Sequence, residues 1–229
     1  MKEDTDYKNL KGSLTYFLDT VSGDIDALEN LASDAAKHDI QVLKQNGELP
    51  FPTTSPIGAN LIVNKLLKPR CTVPLTITCF SVIDVLGKIC DDMPRQASRT
   101  DTENSQDSGQ FIRHSQFFFK NLAGKDDLKN TSTATTLQNA YRHSMAHAFL
   151  PAATIQTGYS VSYTEQFDGW SLIAQVESNS RILNVKYLTL VVKTGIERVR
   201  EMLNSTDNNF ILDNFKALLE DNNSRVSKN

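Results

Sequence analysis

The feature that most constrains the fold is an unbroken apolar stripe near the start of the chain. Apolar residues recur there at alternating intervals of four and three, at Leu14, Leu18, Val21, Ile25, Leu28, Ala32 and Ala35. This spacing places all of these side chains on one face of an α-helix. The pattern predicts a long amphipathic helix from Leu10 to His38 or beyond, with residues 1–9 frayed and a kink favoured at Ser22-Gly23.

This helical face has two candidate partners. Packing on the rest of the domain is the favoured interpretation, and pairing with a second chain is the alternative. The stripe and the aromatic-rich helices that follow offer more apolar surface than a single bundle of this size needs. We therefore expect a homodimer in solution.

A second apolar stretch, from Leu75 to Asp92, has no polar face. Its strongest stripe comprises Cys79, Val82, Ile83, Leu86, Ile89 and Cys90. A helix that is apolar on all sides usually lies at the centre of a domain, and Pro74 is tolerated in its first turn. The many β-branched residues leave a buried strand as the alternative, but the stretch is long for a strand.

The elements that follow are separated by polar or proline-rich segments. We expect loops at residues 46–57, 94–108 and 123–132, with 94–108 the most mobile of them. Between the loops, apolar periodicity predicts one helix from Gly109 to Leu122 and another from Thr133 to Leu150, which ends near Pro151.

Beyond Pro151 the apolar period changes from helical to alternating. Tyr159–Tyr163 and Trp170–Val176 are strand-like, and an Asp-Gly turn signal between them predicts a small antiparallel β-hairpin. Arg181–Leu183 is a candidate third strand. Asn184 then caps the last long helix.

Together these patterns predict a mainly α fold, a single domain over residues 1–229. It contains a bundle of five or six helices, with the small antiparallel hairpin before the last long helix. The hairpin and that helix form an extension at 155–204, and residues 205–229 form a tail in which a short amphipathic helix near Phe210–Leu219 is plausible.

Composition narrows the class of protein. The net charge of −3 excludes a strongly basic nucleic-acid scaffold. Three cysteines without metal-ligand spacing suit a reducing compartment, and Cys79 and Cys90 serve as small apolar residues. The polar N-terminus lacks a signal-peptide core, and the stretch from Val73 to Cys90 is too mixed to span a bilayer. We expect a soluble cytoplasmic protein with no membrane partner.

One string carries most of the candidate chemistry, namely LQNAYRHSMAHAFLP from Leu137 to Pro151. It places Arg142, His143 and His147 within six residues, late in a predicted helix. The spacing Arg-x4-His is weak evidence by itself, so the surrounding sequence must support any function assigned to these residues.

The context resembles the HEPN superfamily of helical domains. The similarity rests on IDVLG (Ile83 to Gly87), FIRHSQFFFKNL and YRHSMAHAFLP, and it covers roughly residues 10–151. Segment 155–204 resembles an extension found in uncharacterised bacterial members. The superfamily carries an Arg-x4–6-His motif in which the residue after arginine is commonly Asn, Asp or His, and Arg142, His143 and His147 match it.

The resemblance implies two kinds of function. Many members are metal-independent endoribonucleases, often toxins, whose two motifs meet at a homodimer interface, so RNA and an antitoxin-like protein are the expected partners. Other members are inactive, or are nucleotide-binding or scaffold modules. The resemblance gives no cofactor and no metal.

The side chains suit metal-free RNA cleavage. An imidazole near neutrality can accept and return protons, which is the role expected for His147. The Arg142 guanidinium matches the growing charge on phosphoryl oxygens, and His143 would orient the other two. On an ideal helix Arg142 and His147 point about 140° apart, so a bend, the long arginine stem or a second copy must bring them together.

Other interpretations remain open. Arg142 could pair with an acidic residue of another helix, and both histidines could bond backbone carbonyls. His143 and His147 share a face and could bind zinc, but Ser144 stands where a zincin has glutamate and no nearby Cys or Asp completes the site. Trp170 and Tyr159 could stack bases, although core packing is favoured.

Overall fold

The computed structural model describes residues 2–47, 71–91, 106–142, 158–163, 171–177, 180–205 and 209–226. Within these ranges the fold is mainly helical, and the mainly α prediction is confirmed. The helices are α1 (Lys2–Gln45), α2 (Thr72–Cys90), α3 (Gln106–Phe117), α4 (Thr131–Thr136), α5 (Val185–Leu203) and α6 (Asn209–Val226). The strands are β1 (Gly158–Ser162), β2 (Ile173–Glu177) and β3 (Ser180–Asn184).

Helix α1 confirms the long amphipathic helix and extends it at both ends. The expectation that residues 1–9 are frayed is wrong, because the helix begins at Lys2, and it runs past His38 to Gln45. The predicted stripe is buried at Leu14, Leu18, Ile25 and Ala32, and partly buried at Val21 and Leu28. It packs on α2, α5 and α6, so the chain itself covers most of the stripe.

Helix α2 is the central helix, as its all-round apolar character predicted. It contacts α1, α3, α5 and α6, and both Cys79 and Cys90 are buried. Pro74 lies in its first turn. By length and composition alone α2 could cross a membrane, but more than half of it is buried inside the protein, as in the core helix of a soluble domain.

Helices α3 and α4 differ from the predictions at their ends. Helix α3 begins at Gln106, so the last part of the predicted 94–108 loop is helical, while 94–105 lies outside the described residues. Each helix continues into a π-helical turn, over Phe118–Leu122 after α3 and over Leu137–Arg142 after α4. The Asn130 side chain caps α4 by accepting a hydrogen bond from the Thr133 amide at 2.7 Å.

The sheet corrects the predicted strand pairing. Its order is β1-β3-β2, with β1 parallel and β2 antiparallel to β3. The hairpin is therefore β2–β3, and β1 does not pair with β2. Consecutive residues Ile182 and Leu183 are both buried, which shows that β3 is covered on both faces. Strand β3 is the central strand and pairs along both edges, whereas the sequence predicted it only as a candidate third strand beside a hairpin.

The C-terminal region contains the amphipathic helix expected near Phe210–Leu219, and this helix is longer than predicted. Asn184 caps α5 as predicted, since its side chain accepts a hydrogen bond from the Tyr187 amide at 3.0 Å. Helix α6 reaches Val226 and buries Ile211, Leu212 and Phe215. The Asn214 side chain donates to the Ile89 carbonyl at 3.0 Å, which fixes α6 to the end of α2.

Candidate functional site

The structure describes one of the three predicted site residues. Arg142 is the last residue of the π-helical turn after α4 and is described. His143 and His147 lie outside the described residues. The site can therefore be built upward from Arg142 and the helices around it.

Three neighbours hold the Arg142 side chain. Its Nη2 donates to Oδ2 of Asp84 at 2.9 Å, and the guanidinium carbon lies 4.7 Å from the centre of the Phe111 ring. Its Nη1 lies 3.4 Å from Oε1 of Gln138, one helical turn earlier. About one third of the side chain, 34%, is exposed. Arg142 is thus fixed in direction while its guanidinium keeps contact with solvent.

Asp84 joins Arg142 to a histidine that belongs to a different helix. Nδ1 of His114, on α3, lies 2.7 Å from Oδ1 of Asp84, and an ionised carboxylate accepts the proton on that nitrogen. Each carboxylate oxygen therefore has its own partner. The Asp84 and His114 side chains are 28% and 12% exposed. We call Asp84, His114 and Arg142 the bridged cluster.

The bridged cluster keeps Asp84 ionised. Burial acts to raise the pKa of this carboxyl group. The hydrogen bond from His114 and the positive charges of Arg142, His114 and Lys88 outweigh burial and leave the pKa below its ordinary value of 3.8. Asp84 is consequently an anion at neutral pH, able to orient the imidazole.

Gly87 explains why α3 comes close enough to α2 for this contact. A Cβ atom at position 87 would collide with the carbonyl oxygen of His114 and lie 2.8 Å from its carbonyl carbon. The two backbones therefore touch at this point, one helical turn from Asp84. The close approach places His114 against the carboxylate, and no residue with a larger side chain would permit it.

The arrangement combines two chemical capacities. With Nδ1 bound to the carboxylate, Nε2 of His114 is the nitrogen left for a further partner, and an imidazole in this setting can transfer protons. The Arg142 guanidinium suits anionic oxygens. One carboxylate serves two partners that carry or can carry positive charge, so the cluster is neutral or positive.

Sequence reasoning identified Arg142 but not Asp84 or His114. Asp84 lies 58 positions from Arg142 and 30 positions from His114 along the chain, so no local spacing linked these residues. One signal was present, because Asp84 is the single acidic residue in the apolar sequence of α2. The alternative in which Arg142 pairs with an acidic residue from another helix is confirmed.

The other sequence-based candidates are a metal site and two base-stacking residues, and only the described ranges bear on them. There, no group of three or more His, Cys, Asp or Glu side chains could hold a metal ion. The zinc alternative at His143 and His147, and base stacking by Trp170, lie outside those ranges. Tyr159 is partly buried and stacks edge-to-face on Tyr141 with ring centres 5.7 Å apart, so the expected core packing is confirmed.

Comparison with known proteins gives no relative. The chain matches no protein-family model, and no curated protein or solved structure matches it significantly.

Proposed function

We propose that this protein is a metal-independent endoribonuclease of the HEPN type that acts as a cytoplasmic homodimer. The observation that carries the proposal is Arg142, a guanidinium that is one-third exposed and shares the Asp84 carboxylate with the His114 imidazole. A fixed cation and an oriented proton-transfer group are what phosphodiester cleavage without a metal needs.

In the proposed reaction, the 2′-hydroxyl of RNA attacks the adjacent phosphorus. A histidine accepts the hydroxyl proton, the bond from phosphorus to the 5′ oxygen breaks, and an imidazolium returns a proton to that oxygen. The products are a 2′,3′-cyclic phosphate and a 5′-hydroxyl. Arg142 stabilises the charge on the phosphoryl oxygens, His147 transfers the protons, and His143 orients the Arg142 and His147 side chains. His114 supplies a further imidazole, which is joined to Arg142 through Asp84.

The proposed dimer is supported by apolar side chains on the surface of α1 and α5. Tyr16, Leu31 and Leu190 are 75%, 56% and 58% exposed. Light scattering should give about twice the 25.6 kDa chain mass at micromolar concentration. A single-chain mass at every concentration would contradict the dimer and the catalytic mechanism that depends on it.

A non-catalytic binding or scaffold module is the second candidate, and a specific observation favours it. Asp84 already pairs with Arg142 at 2.9 Å, so part of the guanidinium charge is balanced within the protein. In such a module Arg142 would retain a nucleotide or an acidic group of a protein partner without cleaving anything.

RNA cleavage in EDTA tests the first candidate against the second. Wild-type protein should cleave single-stranded RNA, and Arg142→Ala and His147→Ala should each lower the rate by about 10²–10⁴. His143→Ala should have a smaller effect. The rate should follow a bell-shaped pH profile, because one step needs neutral histidine and the other needs its protonated form.

A matched control separates chemistry from folding. Arg198 is an exposed arginine of α5 that pairs with Glu201, and Arg198→Ala should leave cleavage unchanged. Circular dichroism of each variant reports whether it is folded. Intact RNA with every folded variant and with the wild type would reject the ribonuclease, whereas binding of RNA or a nucleotide without cleavage would support the module.

A further inference from the structure

A second polar site lies between α4 and the sheet, apart from the bridged cluster. It is an open groove of about 180 Å³ lined by Ser132, Thr133, Thr136, Ile173, Gln175 and Arg181. Five of these six residues carry a polar side chain, and none is acidic. The volume far exceeds the roughly 10–15 Å³ that admits one water molecule.

Sheet register places the two longest polar side chains of the groove together. Gln175 on β2 is the direct cross-strand partner of Arg181 on β3, so both project from the same face of the sheet. On the other edge of β3, Tyr159 of β1 is the cross-strand partner of Arg181. The Tyr159 ring stacks on Tyr141, which lies in the π-helical turn after α4, so this turn packs against the same face of the sheet. The sheet residues Gln175 and Arg181 form one wall of the groove.

The facing wall belongs to α4. Ser132 and Thr136 are four residues apart on that helix and lie on the same side, with Thr133 beside them. Each hydroxyl can donate one hydrogen bond, and the Gln175 amide can donate two. The groove therefore presents several neutral donors around one guanidinium.

Arg181 differs from the other arginine side chains that the structure describes. Arg113, Arg142, Arg198 and Arg200 all form ion pairs with carboxylates. Within the described ranges no carboxylate pairs with Arg181, although its side chain is partly buried. A partly desolvated guanidinium gains from an anionic partner, which here must come from outside the described residues.

We propose that this groove binds the phosphate group of a small ligand, with Arg181 as the charged anchor and the side chains of Ser132, Thr136 and Gln175 as donors to its oxygens. A planar guanidinium matches two phosphate oxygens at once, and hydroxyl and amide groups suit the others. The site contains neither Arg142 nor the predicted histidines, so it stands independently of the proposed ribonuclease. Free inorganic phosphate and a nucleoside monophosphate share this chemistry.

Calorimetric titration of the full chain with inorganic phosphate, and separately with adenosine monophosphate, tests the site. Arg181→Gln should weaken phosphate binding by about 10- to 100-fold, because a charged hydrogen-bond partner is lost. The phosphate affinity of Arg181→Lys should lie between those of the wild type and Arg181→Gln, since lysine keeps the positive charge but not the planar pair of donors of a guanidinium. Arg198→Gln, the exposed control, should match the wild type. Tighter binding of the monophosphate than of phosphate would identify a nucleotide as the source, and equal binding would identify free phosphate.

Two results would overturn the inference, namely no phosphate binding at millimolar concentration, or equal affinity in wild type and folded Arg181→Gln. If Arg181→Gln does not fold, Ser132→Ala and Thr136→Val decide instead. Each removes a single hydroxyl and should weaken binding by about 2- to 10-fold, and unchanged affinity in both would reject the site. The loss of affinity caused by Arg181→Gln should be the same in an Arg142→Ala background, which separates this site from the proposed catalytic one.

Discussion

Two polar clusters of this helical domain differ in their balance of charge, since one has a single carboxylate between two partners and the other a single cation between two carboxylates. The bridged cluster has one carboxylate, Asp84, between His114 and Arg142. The second, which we call the lysine cluster, has one cation, Lys193, between the carboxylates of Asp26 and Glu29. Tyr163 completes the lysine cluster by donating its hydroxyl proton to Glu29 at 3.1 Å.

The difference suggests distinct roles. Burial acts to lower the pKa of Lys193, but the hydrogen bonds that its ammonium donates to Asp26 and Glu29 outweigh burial, so the pKa is raised and Lys193 remains charged. Its two carboxylates leave no positive charge for a ligand, so the lysine cluster connects α1 and α5. The bridged cluster retains positive character at a partly exposed guanidinium, which is the property that an anionic substrate requires.

The largest expected effect comes from breaking the helix contact behind the bridged cluster. Gly87→Ala should lower the free energy of unfolding by about 2–3 kcal/mol, because the new methyl group would overlap the backbone at His114. Gly23→Ala on α1 is the matched control. A Cβ there meets no atom within 4 Å, so it should stabilise the protein by about 0.4–1 kcal/mol. Urea unfolding measures both, and an unchanged Gly87→Ala protein would refute the close contact.

Removing the shared charge should have the next largest effect. Asp84→Asn keeps the shape but leaves His114 and Arg142 without their common anion. We expect a loss of about 1–2 kcal/mol in the free energy of unfolding. Asp126→Asn, which removes an exposed carboxylate paired with Lys129, should cause no measurable change. Equal stability of the two variants would show that the bridged cluster is no stronger than a surface ion pair.

The ionisation of Asp84 should also make the stability of the protein depend on pH in the acid range. The pKa of Asp84 is lower in the folded chain than its ordinary 3.8, so the unfolded chain binds the proton more readily. Its stabilisation is therefore complete above about pH 3.8 and is lost as the pH falls through the lower, folded-state pKa. Unfolding of wild type and Asp84→Asn at successive pH values should show their difference shrinking in acid. A difference that grew would reverse the assigned sign.

The smallest effect concerns the lysine cluster. Tyr163→Phe removes one hydroxyl from Glu29, while Lys193 still pairs with that carboxylate. We expect a loss of about 0.5–1 kcal/mol in the free energy of unfolding and no change in RNA cleavage or binding. Thermal unfolding and the cleavage assay together measure this, and a loss of RNA cleavage or binding in the folded variant would erase the functional distinction between the two clusters.

The helices could be predicted because their signals are local. The 4-3-4-3 stripe of α1 and the apolar surface of α2 depend on residues only a few positions apart, and helical periodicity repeats at that scale. The strands at Tyr159 and Ile173 were also found, since alternation is local too. Their pairing was not, because it joins residues far apart in sequence, and a nearby Asp-Gly signal favoured the wrong neighbour.

By itself, the sequence determined a mainly helical domain, the cap at Asn184, and Arg142 as a residue of interest. Only the tertiary structure decided that Asp84 joins Arg142 to His114, and that Gln175 and Arg181 face α4 across a groove. The physical reason is that charges and hydrogen bonds act over a few ångströms in space. Packing at Gly87 and the register of β3 bring those atoms together, and no short spacing along the chain records either event.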